Sequence, residues 1–217
     1  MASRLSIRHL LGLGAALWLP ALPGGFLAAA GLADARQHYL QGEYEECIAT
    51  CETALAGGAR SEEWPLLLQQ SQMTLGRYPD ALATVTNALA RARSSVRLRW
   101  ALHEAWKANG DPAAARRQLE EIDQLAGARM WAYSDAPNVV TLGRTALALG
   151  ADPRLVLERF YDEARRAAPE LRDAVLAAGE LALAKQDHDL AARTFRAALQ
   201  KNPDDPDFHY GVARACE

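Results

Sequence analysis

Gly42, Gly76 and Gly110 stand 34 residues apart, and each closes one apolar, helix-like run and precedes another. A period of that length constrains a fold strongly. Each unit is one supersecondary element that can bury its apolar face only by stacking on the next copy. The correspondence extends beyond the glycines. Setting QGEYEECIATCETAL over LGRYPDALATVTNAL aligns Tyr44 with Tyr78, Cys47 with Ala81, Cys51 with Val85, Ala54 with Ala88 and Leu55 with Leu89. A third copy, NGDPAAARRQLEEI, puts Ala115, Leu119 and Ile122 at the places of Ala81, Val85 and Ala88.

The register then slips and returns. In LERFYDEARRAAPE and DLAARTFRAALQKNPD, Leu157, Tyr161, Ala164 and Pro169 each lie 34 residues before Ala191, Phe195, Ala198 and Pro203. From Ala115 to Leu157 is one period plus eight residues, read here as six extra residues at Met130 to Asp135 and two in the Gly-Ala-Asp-Pro turn at 150–153. Half of the residues are hydrophobic. Runs such as DLAARTFRAALQ carry them as a stripe (Leu190, Ala191, Phe195, Ala198, Leu199) that one helix cannot bury alone. The connections contain Asp111-Pro112, Asp152-Pro153, Asn202-Pro203 and Asp205-Pro206, where proline breaks the helix and the aspartate is suited to cap the next one. No alternating pattern argues for a strand, so the expected class is all-α.

This pattern resembles the tetratricopeptide repeat family, in which each unit is two antiparallel helices, A and B. The family places a Gly or Ala eighth in helix A, an Ala early in helix B, an aromatic residue four later, an Ala three after that and a Pro at the repeat's end. Gly179, Ala191, Phe195, Ala198 and Pro203 match all five places. The resemblance implies a right-handed solenoid of helical hairpins, about five repeats plus a final partial helix. The units fall at about 28–61, 62–95, 96–129, 136–171 after an insertion at 130–135, 172–205, and a partial unit at 206–217. Such a resemblance specifies fold far more than function.

Ahead of the array, Arg4 and Arg8 precede HLLGLGAALWLPALPGGFLAAAG, which closes on Ala28-Ala29-Ala30. This is the layout of a secretory signal peptide, with a basic start, an apolar centre and small residues at the cleavage site. Cleavage is expected near Ala30, leaving 31–217 as a secreted or periplasmic protein in a bacterial envelope. Pro20, Pro23 and the Gly24-Gly25 pair interrupt the run, which argues against a permanent anchor. Contact with a membrane would then be limited to the transient signal. Removing Arg4 and Arg8 takes the formal charge from −3 to −5. That balance gives no basic footprint for nucleic acid, and the run ARARSSVRLRW reads as a solvated turn.

Export would permit disulfides, but Cys47 and Cys51 lie four apart on one helix, where Cβ atoms are about 5–6 Å apart and a disulfide needs about 3.5–4.5 Å. They stand where Ala81 and Val85 stand in the next unit, so both are expected in the core as thiols. Cys216 is assigned a core place as well. HEAWK, His103 to Lys107, begins like the zinc-protease signature, but Lys107 replaces the second histidine and an ammonium cannot ligate metal. His38, His188 and His209 lack ligand spacing, and Asp187-His188-Asp189 reads as a helix cap. No nucleophile elbow or phosphate loop occurs. No catalytic residue, metal or cofactor is expected.

The family resemblance implies a concave groove lined by helix A. Carried onto this chain, the groove residues are Arg36 and Tyr39, Gln70 and Met73, Arg97, Trp100, Glu104 and Lys107, and Glu180, with Leu32, Glu63, Leu66, Val140, Asp173, Leu176, Leu183, Tyr210 and Arg214 continuing the line. Members that hold acidic chaperone tails use Lys and Asn where this chain has Leu32 and Arg36, so that ligand is disfavoured. Aromatic and long apolar residues suit a peptide or partner protein laid in the groove. Trp100 and Tyr39 are the candidate anchors, although Trp100 could equally pack against the next repeat. Two functions stay open. One is an exported scaffold for protein–protein interaction. The other is the N-terminal module of a longer secreted enzyme, because DFHYGVARACE supplies a helix A without a helix B, and ERFYDEARRAAPELRDAVLAAGE onward resembles repeats that precede a zinc-peptidase-like domain.

Overall fold

The computed structural model describes the backbone from Gly24 and the side chains from Gly31, both through to Glu217. The export signal rests on residues 1–30, of which 1–23 lie outside the described residues and 24–30 are described by their backbone alone. Every regular element among the described residues is helical. The hairpins are α1 (Gly24–Gln41) with α2 (Tyr44–Ala56), α3 (Glu63–Thr74) with α4 (Tyr78–Arg91), and α5 (Val96–Ala108) with α6 (Pro112–Arg129). A 3₁₀ turn (Met130–Tyr133) leads to α7 (Ala136–Ala148). The partner of α7 is α8 (Pro153–Val156), continued through a π-helical turn (Leu157–Tyr161) into α9 (Asp162–Ala167). Then come α10 (Arg172–Ala184) with α11 (His188–Leu199), and finally α12 (Pro206–Ala215).

Each helix packs on its neighbours in sequence, and α1, α3, α5, α7, α10 and α12 also touch one another in that order. These first helices form an inner layer, and the second helices form an outer one. The hairpins turn on a left-handed residue, which glycine supplies at Gly42, Gly76, Gly110 and Gly150. At the fifth hairpin Gln186 takes φ +61° in the same role. Aspartates then start the next helix, with the Asp111, Asp135, Asp152, Asp187 and Asp205 side chains accepting backbone N–H bonds.

Inner and outer helices meet through matched sizes. Phe195 and Tyr161 are fully buried against Gly179 and Gly143, where a Cβ would come within 2.2 Å and 2.6 Å of the respective rings. In earlier repeats the equivalent pairs are His103 with Leu119, Gln69 with Val85 and Ala35 with Cys51, all buried. The two glycines face aromatic rings, whereas the larger inner residues of the earlier repeats face smaller outer side chains.

Only one of the two residues assigned to the Gly-Ala-Asp-Pro turn lies there. Gly150 occupies the same place after Ala136 as Gly110 after Val96, and the cap follows one residue late, at Asp152. The second is absorbed by the π-helical turn, which inserts a residue into a helix and restores register beyond it. Tyr161 is thereby brought back opposite Gly143. Cys47 and Cys51 are fully buried free thiols, and Cys51 is pushed well above the usual thiol range by its hydrogen bond with Cys47 and by burial. Cys216, expected in the core, is exposed at the end of α12. No helix packs over that face among the described residues.

Candidate partner-binding groove

The inner helices enclose one concave space of about 830 Å³, lined by side chains from α1, α3, α5, α7, α10 and α12. Arg36, Tyr39, Gln70, Met73, Arg97, Trp100, Glu104 and Glu180 all face it. Lys107 does not. It sits at the end of α5, mostly exposed, with its ammonium 3.7 Å from the Glu104 carboxylate. Val140 is also corrected, being fully buried, while Thr141 and Arg144 line that wall. Leu32 packs into the first core cluster. Arg144 was legible in principle, because it stands eight residues after the start of α7 as Glu104 and Glu180 do in α5 and α10. A reading that stopped at Val140 missed it.

Trp100 serves both roles left open for it. It packs against the cluster of Val96, Ile122, Tyr133 and Leu142 and also lines the groove. Its ring lies 5.1 Å from that of His103, and the His103 Nδ1 is 2.9 Å from the Ala115 carbonyl oxygen. His103 is therefore a packed histidine. Among the described residues no group of three or more His, Cys, Asp or Glu side chains could hold a metal ion. No helix among them is long and apolar enough to cross a membrane.

Among the described residues, ion pairs run along the groove and join neighbouring inner helices at four of their five junctions, all but that of α5 with α7. Arg36 meets Glu63 at 2.7 Å, and Arg97 meets Glu63 and, at 3.0 Å, Glu62. Arg144 grips Asp173 through two bonds of 2.8 and 2.7 Å, and Arg172 binds both Asp205 and Asp207. Burial opposes the Glu63 charge, but Arg97 and Arg36 outweigh it and hold its carboxyl below the usual range. Burial likewise opposes the charge on Arg172, and its two aspartates hold the guanidinium protonated. Arg214 lies over the Tyr210 ring, 5.9 Å from its centre.

Glu180 is the exception. It makes no ion pair or hydrogen bond among the described residues. Although open to the groove, it is crowded by protein, and this desolvation raises its carboxyl above the ordinary value against the nearby charge of Arg144. It shares one face of α10 with Leu176, one turn before, and Leu183, one turn after, both lining the same wall.

The arrangement offers apolar surface, paired charges and no reactive constellation. The tetratricopeptide repeat model matches the chain over residues 66–128, 141–206 and 176–217. Among solved structures, TTC0263, a thermophilic TPR protein of Thermus thermophilus, is similar at 23% identity, covering 87% of this chain and 98% of its own, with a TM-score of 0.61. The APC/C hetero-tetramer Cut9–Hcn1 matches at 17% identity over 88% of this chain and 36% of its own, with a TM-score of 0.49. The TPR2AB domain of yeast Sti1, in its pHSP90 complex, matches at 13% identity over 89% of this chain and all of its own, with a TM-score of 0.42. The likeness to TTC0263 is one of fold. No curated protein sequence matches the chain. With the repeat model matched over well over half of its length and helical hairpins stacked throughout the described residues, the chain belongs to the tetratricopeptide repeat family.

Proposed function

We propose that this chain is an exported scaffold that holds a peptide, or a segment of a partner protein, in its concave groove without chemistry of its own. Tetratricopeptide repeat domains are typically non-catalytic, and homologous repeats bind protein or peptide partners. The observation that carries the reading is convergence. Side chains from six inner helices surround one space of about 830 Å³, in which aromatic and aliphatic surface lies between mostly paired charges. A concave, mostly apolar space of that size suits a bound segment better than a flat protein face. Export is supported by Arg4, Arg8, the apolar run that follows and the alanines at 28–30.

Two measurements test this reading. The intact mass of the protein from its native envelope fraction should correspond to a chain starting near Gly31, and an uncleaved cytoplasmic species would remove export from it. For the groove, affinity capture is run with the wild type, Trp100→Ala and Met73→Glu. A partner held by the wild type and lost by both variants at unchanged helicity supports groove binding. A partner held equally by all three places binding elsewhere, and a loss of helicity confined to Trp100→Ala assigns that residue to packing.

A further inference from the structure

Resting on the groove reading, the charge pattern narrows what the groove takes. Four of its arginines, Arg36, Arg97, Arg144 and Arg172, are already bound to carboxylates of this chain. The fifth, Arg214, is stacked on Tyr210. At four of these five arginines an acidic ligand would have to displace an intramolecular pair, two of them bidentate, and leave a carboxylate behind without its partner; only Arg214, at the far end of the array, has no carboxylate bound to it among the described residues. A basic ligand meets no such obstacle. The groups acting electrostatically on Glu180 are Arg144, Asp173, Asp207 and Arg172, and Asp205 lies against the last of these. Both arginines are matched one-to-one or better by the aspartates, so Glu180 stands in a locally acidic setting with no cation of its own. Leu176 and Leu183 flank it by one helical turn on each side, and Tyr210 lines the same space.

We infer that the groove binds a peptide segment that inserts a Lys or Arg side chain opposite Glu180 and lays apolar side chains on Leu176, Leu183 and Tyr210. The aliphatic stem of a long cation packs on the leucines while its head reaches the carboxylate. A charge-assisted hydrogen bond then gives this carboxylate the partner that it lacks within the described chain. The same contacts make the site selective, because a like charge at that position is repelled.

The test uses the whole chain and two fluorescein-labelled peptides of equal length with leucines at helical spacing, one with lysines and the other with glutamates at the remaining positions. Fluorescence anisotropy should give binding of the lysine peptide at least about 10-fold tighter than the glutamate peptide. Glu180→Gln, nearly isosteric, should weaken the lysine peptide by about 5- to 10-fold. Glu158→Gln, on the outer helix and paired with Arg154, should leave it unchanged. If both glutamate variants weaken binding equally, or if the two peptides bind alike, the assignment to Glu180 is overturned while groove binding stands. If neither peptide binds at any concentration tested, the assignment and the groove reading are overturned together.

Discussion

The ring of Phe195 lies between two glycines, one on α10 and one on α12. A Cβ on Gly179 or Gly211 would meet the ring at 2.2 Å or 2.5 Å, so neither neighbour has room for a methyl group. Gly179→Ala should therefore destabilise the protein by about 1–3 kcal/mol, the usual cost of overpacking a close-packed site, as read from the midpoint of urea unfolding. Gln186 is the opposite case, with a side chain where the backbone wants none. Its φ of +61° is one that L-residues adopt at a cost of about 1–2 kcal/mol, so Gln186→Gly should raise stability by about 1 kcal/mol. An unchanged or lowered midpoint for Gln186→Gly would show that the side chain contributes a contact that offsets the strain. Gly179 was legible in the sequence, because the 34-residue register assigns it the small place. Gly211 was not, since its reason is a ring from the preceding repeat.

Among the elements, the junction of α10 and α12 shows how one repeat is fastened to the next. Asp205 is 5% exposed, caps α12 by accepting from the Asp207 and Phe208 amides, and also binds Arg172 at the start of α10. The Arg172 guanidinium lies 5.6 Å from the centre of the Phe208 ring. Asp205→Ala removes the cap and leaves the half-buried Arg172 guanidinium with Asp207 as its one carboxylate partner, and should cost about 2–4 kcal/mol in unfolding free energy. Asp205→Asn keeps the cap and should lose clearly less, whereas equal losses for the two would assign the whole effect to the ion pair. The cap was readable from Asp205-Pro206, but the partner in α10 was not, because 33 residues separate Arg172 from Asp205 and only the stacking brings them together. The π-helical turn was hidden for a related reason. An extra residue in a helix leaves no mark in the sequence pattern beyond a shift in register, and that shift can be placed in the preceding turn equally well.

At the scale of the whole molecule, stability is distributed as in a stack, each described hairpin packing mainly on its neighbours. Phe195→Ala should cost about 3–5 kcal/mol locally, and native-state hydrogen exchange should speed up in α10, α11 and α12 while α2 to α4 keep their protection. Uniform loss of protection would mean the array unfolds as one cooperative body. The six-residue insertion is fastened rather than loose, because the Tyr133 hydroxyl donates to the Ser94 carbonyl at 3.0 Å and its ring is buried. Trp131 beside it is 79% exposed.

The sequence by itself determined the helical class, the repeat and the places of the small residues. These follow from local periodicity and from turn residues that act over a few positions. The groove residues came from the family resemblance carried along that period, and eight of the nine first assigned this way line the concave space. The tertiary structure alone decided which charges are free. Arg36, Arg97, Arg144 and Arg172 are matched to carboxylates on a neighbouring inner helix, and only stacking in space could single out Glu180 as the carboxylate without a partner among the described residues. Lys107 and Val140 were misplaced for the same reason, because a position along a helix fixes its angle but not what its neighbours cover or where the groove ends.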